Sequence, residues 1–378
     1  MLSVVELAQQ LITCPSVTPH DAGCQTILCK LLQDLEFRIE HIPCGEVNNF
    51  WARRGTHRPL FVFVGHTDVV PPGPLEKWQS PPFQPEIRQG ILYGRGSADM
   101  KGSLAAMLVA CHQFIHRFPN HAGSIGWLIT SDEEGPATEG TAKGIAWLQE
   151  RGEKIDYSLV GEPTCEKKLG DTIKIGRRGS LSGQLMIQGK QGHIAYPQFA
   201  INPIHQFAPI LTELLMTAWE DDLVQNPHFQ PTQLQLSNLH AGTGTTNVTP
   251  NSLEVKFNFR YSPTTSAEKL KNKVETLLTK QNVNYQLTWQ HGAEPFYSAE
   301  GQLRTSLQAA IQETTNIVPL LSTTGGTSDA RFLSYYKIET VEFGPCNNTI
   351  HQINEGVAVK ELEQLVLIYG ALLKKLLL

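Results

Sequence analysis

Two adjacent glutamates, Glu133 and Glu134, stand at the end of an apolar run, in Gly126-Trp-Leu-Ile-Thr-Ser-Asp-Glu-Glu-Gly135. Like charges side by side at the mouth of a buried strand are costly unless a cation lies between or beside them. The chain offers further oxygen and imidazole donors: His66 and Asp68 in His66-Thr-Asp68, Asp99 in Gly94-Arg-Gly-Ser-Ala-Asp-Met-Lys-Gly102, Glu162 in Gly161-Glu-Pro163, and His351 in Thr349-Ile-His351. These suffice for two divalent metals with one carboxylate left over, which is what metal-assisted hydrolysis needs. Each motif alone has a plainer reading. His66 could sit in a polar turn, Asp99 could cap a helix, the glutamate pair could be a solvated acidic turn, and His351 could be structural. Gly94-x-Gly96 could cradle a phosphate, although the loop lacks the Gly-Lys-Ser/Thr ending and the full dinucleotide fingerprint. The weight lies in the combination and the order.

The elements that must position these groups alternate. Leu60-Phe-Val-Phe-Val64 is a continuous apolar run, as expected of a strand covered on both faces. Ser103 to Phe118 has helical periodicity. Ser124 to Thr130 reads as a strand, Thr141 to Glu150 as a helix, and Tyr157 to Val160 as a strand. The alternation predicts an α/β sheet with some parallel pairing. His66, the glutamate pair and Glu162 then fall just past carboxyl ends of strands, where open α/β sheets bind ligands. Near residue 179 the pattern changes. Ser180 to Gln188 alternates as a half-exposed strand does, a helix runs from Pro203 to about Asp221, and strands follow at Thr232 to Leu239 and Leu253 to Tyr261. A helix at Ser266 to Lys280 and a strand at Asn284 to Trp289 complete a small α+β sandwich. After His291 the chain returns to the first domain and ends in an apolar helix, Val357 to Leu377. The expected organisation is a catalytic domain of residues 1–178 and 291–378 with an inserted domain at 179–290.

With 378 residues the chain is too long for one ordinary core. A formal net charge of −5 gives no basic footprint for nucleic acid, and no apolar run approaches the ~18 residues that cross a bilayer. The first residues, Met1-Leu-Ser-Val-Val-Glu6, lack a basic leader segment and read as an amphipathic helix with Val4, Leu7, Ala8 and Leu11 on one face. The 7 cysteines are scattered with no CxxC pair, which predicts reduced thiols and no thiolate metal site. Metal ligands would be His, Asp and Glu.

The motifs together resemble the dinuclear zinc aminoacylase and carboxypeptidase family of metallopeptidases. The likeness runs through His66-Thr-Asp-Val-Val-Pro-Pro-Gly73, Trp78-Gln-Ser-Pro-Pro-Phe83, Leu92 to Gly102, Asp132-Glu-Glu-Gly135 and Gly161-Glu-Pro163. It continues in Gly176-Arg-Arg-Gly-Ser180, Gly192-His-Ile-Ala-Tyr-Pro197, Thr246-Asn-Val-Thr-Pro250, Gly325-Gly-Thr-Ser-Asp329 and Asn347 to Glu355, nearly the whole chain in family order. The resemblance implies a mixed-sheet α/β/α zinc-peptidase-like catalytic domain with an inserted ferredoxin-like α+β lid and dimerisation domain. It implies two zinc ions, with cobalt as a substitute. Asp99 would bridge them, His66 and Glu162 would complete one, and Glu134 and His351 the other. Glu133 would be the general base, and Asp68 would orient His66. The peptide after the bridging aspartate, Asp99-Met100, is often cis in the family. His193 would reach the partner active site of a homodimer and stabilise an oxyanion, with Asn247 in the same region. Arg177, Ser180, Tyr196, Thr327 and Asn347 match substrate-holding positions, several around a succinyl carboxylate, and Arg260 matches a contact to a diaminopimelate end.

The Arg-Arg-Gly-Ser, Gly-Gly-Thr-Ser-Asp and Thr-Ile-His segments point to the branch that hydrolyses the amide of N-succinyl-L,L-2,6-diaminopimelate in lysine and diaminopimelate biosynthesis, with no nucleic-acid or membrane partner and a place in the cytoplasm. A sibling deacylase with another acyl pocket, and a catalytically silent relative, are the alternatives.

Overall fold

The computed structural model describes residues 3–220 and 227–378. The chain divides into two compact units. One comprises Met1–Gly176, Tyr297–Ser322 and Ser328–Leu378, and the other Arg177–Phe296 with Thr323–Thr327.

The first unit is built on an eight-stranded mixed sheet. Its strand order is Arg38–His41, Phe50–Arg54, Ser124–Thr130, Leu60–His66, Tyr157–Val160, Glu339–Glu342, Thr172–Lys174 and Leu320–Ser322. Four neighbours in the middle, from Ser124–Thr130 to Glu339–Glu342, run parallel, so their carboxyl ends share one edge. Alternate residues of a strand face opposite sides. Phe61, Phe63, Ile125, Trp127 and Ile129 join the larger core, with the Phe63 ring 5.0 Å from Trp127 and 5.9 Å from Tyr369. Helices Val4–Ile12, Lys101–Arg117, Gln302–Thr315 and Val359–Leu377 pack together around that core. Val62, Val64 and Leu128 face the other side and are equally buried. There, helix Thr141–Glu150 packs on Ser124–Thr130. Burying each such side chain contributes roughly 1.5–3 kcal/mol, which explains why both central strands read as unbroken apolar runs.

Helix starts follow local chemistry. The first helix opens with a capping box, the Glu6 amide donating to Ser3 Oγ at 3.2 Å and the Ser3 amide to Glu6 Oε2 at 2.7 Å. Val4, Leu7, Ala8, Leu11 and Ile12 form its buried face. Met1 and Leu2 lie outside the described residues. No described helix is long and apolar enough to cross a membrane.

In the second unit four antiparallel strands are ordered Gln233–Ala241, Ser252–Tyr261, Gly179–Gln188 and Tyr285–Ala293. Helices Pro203–Met216 and Ala267–Lys280 cover one face, burying Leu181, Leu185, Phe257, Phe259, Phe207, Ile210, Leu270 and Val274 together. The alternation seen in the sequence is this in-and-out pattern, and the topology is ferredoxin-like.

Several boundaries differ from expectation; among them, the strand from Leu60 runs on to His66 and the helix expected from Ser103 starts at Lys101. The helix from Pro203 ends at Met216, because Thr217 turns extended and Trp219 packs its ring 4.6 Å from Phe259; Asp221 lies outside the described residues. The terminal helix begins at Val359, since Gly356–Ala358 pairs instead with Ile91–Tyr93. The last strand of the second unit runs on to Ala293. That unit is also wider than 179–290 and takes in Thr323–Thr327, where Arg177 donates to the Thr324 carbonyl at 2.9 Å.

Candidate metal centre

The parallel strands deliver their ligand-bearing residues to one edge. His66 ends strand Leu60–His66, Glu133 and Glu134 follow Ser124–Thr130, Glu162 follows Tyr157–Val160, and the segment after Glu339–Glu342 leads to Asn347 and His351. Asp99 comes from the loop before helix Lys101–Arg117. Two glycines make the convergence possible. A Cβ on Gly65 would lie 2.4 Å from the Met100 Cε, and one on Gly344 would lie 2.5 Å from the Glu162 carbonyl oxygen. The Asp99-Met100 peptide is cis.

His66 Nε2 lies 3.2 Å from Asp99 Oδ1 and 3.4 Å from Glu162 Oε1. His351 Nε2 lies 3.4 Å from Asp99 Oδ2 and 3.0 Å from Glu134 Oε1. Asp99 therefore turns one oxygen to each histidine. His66 Nε2, Asp99 Oδ1 and Glu162 Oε1 are buried and make no hydrogen bond. Buried polar atoms are nearly always paired, so three converging orphan atoms fit a cation. Ligand atoms of His66, Asp99 and Glu134 lie within 4.8 Å of one another, and so do those of His66, Glu133 and Glu162. Glu133 thus stands at the same cluster as the other donors. Nitrogen and oxygen donors of this kind suit zinc. The cysteines are all free thiols.

The charges explain why the cluster calls for a cation. Burial pushes the Glu133 carboxyl well above the usual range, and the neighbouring Glu162 adds to it. Burial likewise raises Glu162 to about 7, helped by Asp99. Hydrogen bonding to Asp99 and Glu134 raises His351 to about 10. Burial opposes charge on His66, but Asp99 and Glu162 outweigh it and hold the ring well above its ordinary value. Without metal, protons on the histidines serve as counter-charge to crowded carboxylates, and a bound metal would displace them.

Asp68 does two things. Its backbone carbonyl accepts from His66 Nδ1 at 2.9 Å, which leaves the His66 Nε2 lone pair free for a metal. Its buried carboxylate lies 3.6 Å from His66 Nδ1 but accepts the amides of Glu133 at 3.3 Å and Glu134 at 3.0 Å. The carboxylate therefore holds the glutamate turn, a role the sequence reading missed.

A second missed residue is Glu355. The Gly94 to Asp99 loop does form an anion cradle, and the anion is the protein's own. Glu355 Oε2 accepts from Arg95 Nη1 at 2.7 Å and Gly96 N at 3.0 Å; Oε1 accepts from Ala98 N at 3.0 Å and Asp99 N at 3.1 Å. Met100, not Asp99, precedes the helix as its cap residue, without a capping side-chain bond. Asp329, also missed, is a buried carboxyl whose oxygens make no hydrogen bond, raised to about 6 by burial. Its acidic type in Gly325-Gly-Thr-Ser-Asp329 was visible, but nothing in the sequence placed it indoors.

Asn347 lies in the first unit, its amide donating to the Cys165 carbonyl at 2.9 Å. The other substrate candidates lie in the second unit. His193 is exposed on the short strand Gly192–His193, which pairs with Val248–Thr249. The Ile194 amide donates to the Asn247 carbonyl at 3.2 Å, so His193 and Asn247 are neighbours. The Tyr196 ring is 5.7 Å from that of His193. Ser180 faces Arg260 in the strand register and accepts from Asn258 Nδ2 at 3.1 Å. Arg177 is bound to Thr324, and Thr327 is half-buried nearby in sequence.

The chain belongs to the peptidase family M20/M25/M40, whose model matches residues 62–375. It is similar over its whole length to proteins named succinyl-diaminopimelate desuccinylase. That of Nitrosococcus oceani is 53% identical over 377 residues, covering 100% of both chains. That of Hahella chejuensis is 52% identical over 373 residues, covering 99% of this chain and 97% of the other. Among solved structures, the M20-family metallo-carboxypeptidase Sso-CP2 of Sulfolobus solfataricus superposes with a TM-score of 0.82 at 17% identity, covering 100% of this chain and 99% of that one. The YXEP protein of Bacillus subtilis, described as a dinuclear metal-binding peptidase, gives 0.71 at 14% identity, covering 98% and 96%. These structures share the fold.

Proposed function

We propose that the protein hydrolyses the amide of N-succinyl-L,L-2,6-diaminopimelate to succinate and L,L-2,6-diaminopimelate, with two metal ions, zinc by donor type and cobalt as a substitute. The substrate is supported by the full-length likeness to desuccinylases. The observation that carries the chemistry is the convergence of His66, Asp99, Glu134, Glu162 and His351 beside a carboxylate that need not ligate. His66 and Glu162 would hold one ion, Glu134 and His351 the other, and Asp99 would serve both. When bound, such ions polarise the amide carbonyl and lower the pKa of water to about 7.

The chain's own residues do the remainder. Glu133 takes the proton from the attacking water and returns it to the leaving amine, the two halves of general acid–base catalysis. Asp68 fixes the turn that presents it. Arg177, Ser180, Tyr196, Thr327 and Asn347 hold the substrate, an arginine fork matching a carboxylate, and Arg260 takes the diaminopimelate end. The unit of residues 177–296 acts as lid and dimerisation unit, and His193 with Asn247 serves the partner active site, stabilising the oxyanion. The enzyme works in the cytoplasm, on the lysine and diaminopimelate route.

The test is turnover of N-succinyl-L,L-diaminopimelate and N-acetylornithine before and after chelation. Loss on chelation with preference for the succinyl substrate is expected. Faster turnover of acetylornithine would assign the chain to a sibling deacylase, and no hydrolysis in either state would end the reading.

A further inference from the structure

We infer that Glu355 is a positioning residue for the metal centre, setting Asp99 and His351 together through one buried carboxylate. The inference rests on the ligand roles given to Asp99 and His351 above. Glu355 is 1% exposed and Arg95 2%. Four donors converge on the Glu355 carboxylate, two on each oxygen, and three of them are successive or near-successive amides of the loop that ends at Asp99. The Gly94 amide also donates to the Glu355 carbonyl at 3.0 Å. Backbone amides arranged in this way form a concave anion site. Here the site is filled from within, and the loop's shape is therefore dictated by where Glu355 lies.

Glu355 stands four residues beyond His351 on the same segment. The counter-ion ties the segments further. Arg95 Nη1 donates to the Gln352 carbonyl at 3.2 Å, Arg95 Nη2 to the Pro71 carbonyl at 3.4 Å, and the guanidinium lies 5.3 Å from the Trp78 ring centre. The segments bearing Asp99 and His351 are thus clamped by a single ion pair. Through Pro71, the same guanidinium also holds the Pro71-Pro72-Gly73 turn, which follows His66 and Asp68 along the chain.

The side chain must be an acid of this length. Glutamine would present one acceptor oxygen and one donor nitrogen to four donors, so a buried N–H or the guanidinium would face a donor. Aspartate keeps the charge but is one methylene shorter.

The experiment measures zinc binding by calorimetry and chelator competition, with kcat and KM alongside, in wild type, Glu355→Gln, Glu355→Asp and Arg95→Lys. Glu355→Gln should weaken the metal site formed by Asp99 and His351 by about 10–100-fold, as loss of an outer hydrogen-bond partner does. It should lower kcat while leaving KM within about twofold, since no substrate contact is removed. Glu355→Asp should recover part of the affinity. Arg95→Lys keeps the ion pair but loses the bonds to Gln352 and Pro71, and should show a smaller loss; it carries the test if Glu355→Gln does not fold. Wild-type metal affinity in the folded variants, even with a lowered Tm, would overturn the inference and leave Glu355 purely structural. A wild-type protein that binds no pair of metals would instead overturn the reading of the site itself.

Discussion

Replacing Asp68 by asparagine separates two accounts of what this carboxylate does. If it serves to orient His66, the substitution should loosen that ring. The geometry says otherwise, because the ring is held by the Asp68 main-chain carbonyl at 2.9 Å, which asparagine retains. The carboxylate oxygens instead accept one amide each, from Glu133 and Glu134. Asparagine has a single acceptor oxygen, so one of these amides would meet the Nδ2 donor in a fully buried place. An unmade buried hydrogen bond costs about 1–3 kcal/mol. If the turn moves to relieve it, that energy is lost from the aligned transition state, or about 5- to 150-fold in kcat/KM. Steady-state kinetics with metal analysis reads the result. The loss should fall on kcat and on the metal that Glu134 and His351 would hold, while the one that His66 and Glu162 would hold persists. Unchanged kinetics, or a deficit confined to the His66 side, would refute the reasoning.

Glu133→Gln should keep both metals and lose about 10²–10⁴-fold in kcat, the usual share of a general base, whereas His351→Ala should release one metal in preference to the other; metal analysis of the two variants distinguishes base from ligand. The stabilising effect of zinc should grow with pH. In the metal-free protein Glu162, raised to about 7 by burial and Asp99, costs nothing below the unfolded value of ~4.3 and its full penalty above about 7. His351, raised to about 10 by Asp99 and Glu134, stabilises fully below ~6.5 and loses that contribution as pH climbs through about 10. Both make the metal-free fold weaker as pH rises, while metal binding needs the deprotonated ligands. The difference in Tm between zinc-loaded and chelated protein should therefore widen from about pH 5 to about pH 8; a constant difference would contradict the protonation picture.

Much of the frame could be read from the residues. Ser124–Thr130, Tyr157–Val160 and Thr141–Glu150 lie where apolar runs and helical spacing put them, because burial on two faces leaves an unbroken apolar signature. The in-and-out pattern of Ser252–Tyr261 was equally plain. The ends were harder. Val357 is apolar and adjoins a helix, yet it belongs to a strand because Ile91–Tyr93 offers it a partner, and no local pattern encodes a partner so far back along the chain. The candidate site divides in the same way. His66 and the glutamate pair announced themselves as donors past strand ends, but the assignment of ligands came from family likeness rather than spacing. Asp68 and Glu355 act on backbone amides, which nearly every residue carries, so their sequence context holds no mark of the partners they find. The Gly94-x-Gly96 loop lacks the ending of a phosphate cradle in sequence, and only the folded arrangement reveals that it encloses an internal carboxylate.

The order of strands in the large sheet bears on how the chain must be made. Glu339–Glu342 lies inside the sheet, between Tyr157–Val160 and Thr172–Lys174, although the whole stretch of the second unit from Arg177 to Phe296 separates it from Tyr157–Val160 along the chain. Until it emerges from the ribosome, Tyr157–Val160 has an unfilled hydrogen-bonding side, the kind of open edge that invites mispairing. The second unit, nearly contiguous from Arg177 to Phe296, can close on itself in the meantime. A chain that stopped short of Glu339 would consequently lose an interior stave of the sheet, and the sheet of the nascent protein is not whole until that segment has joined it.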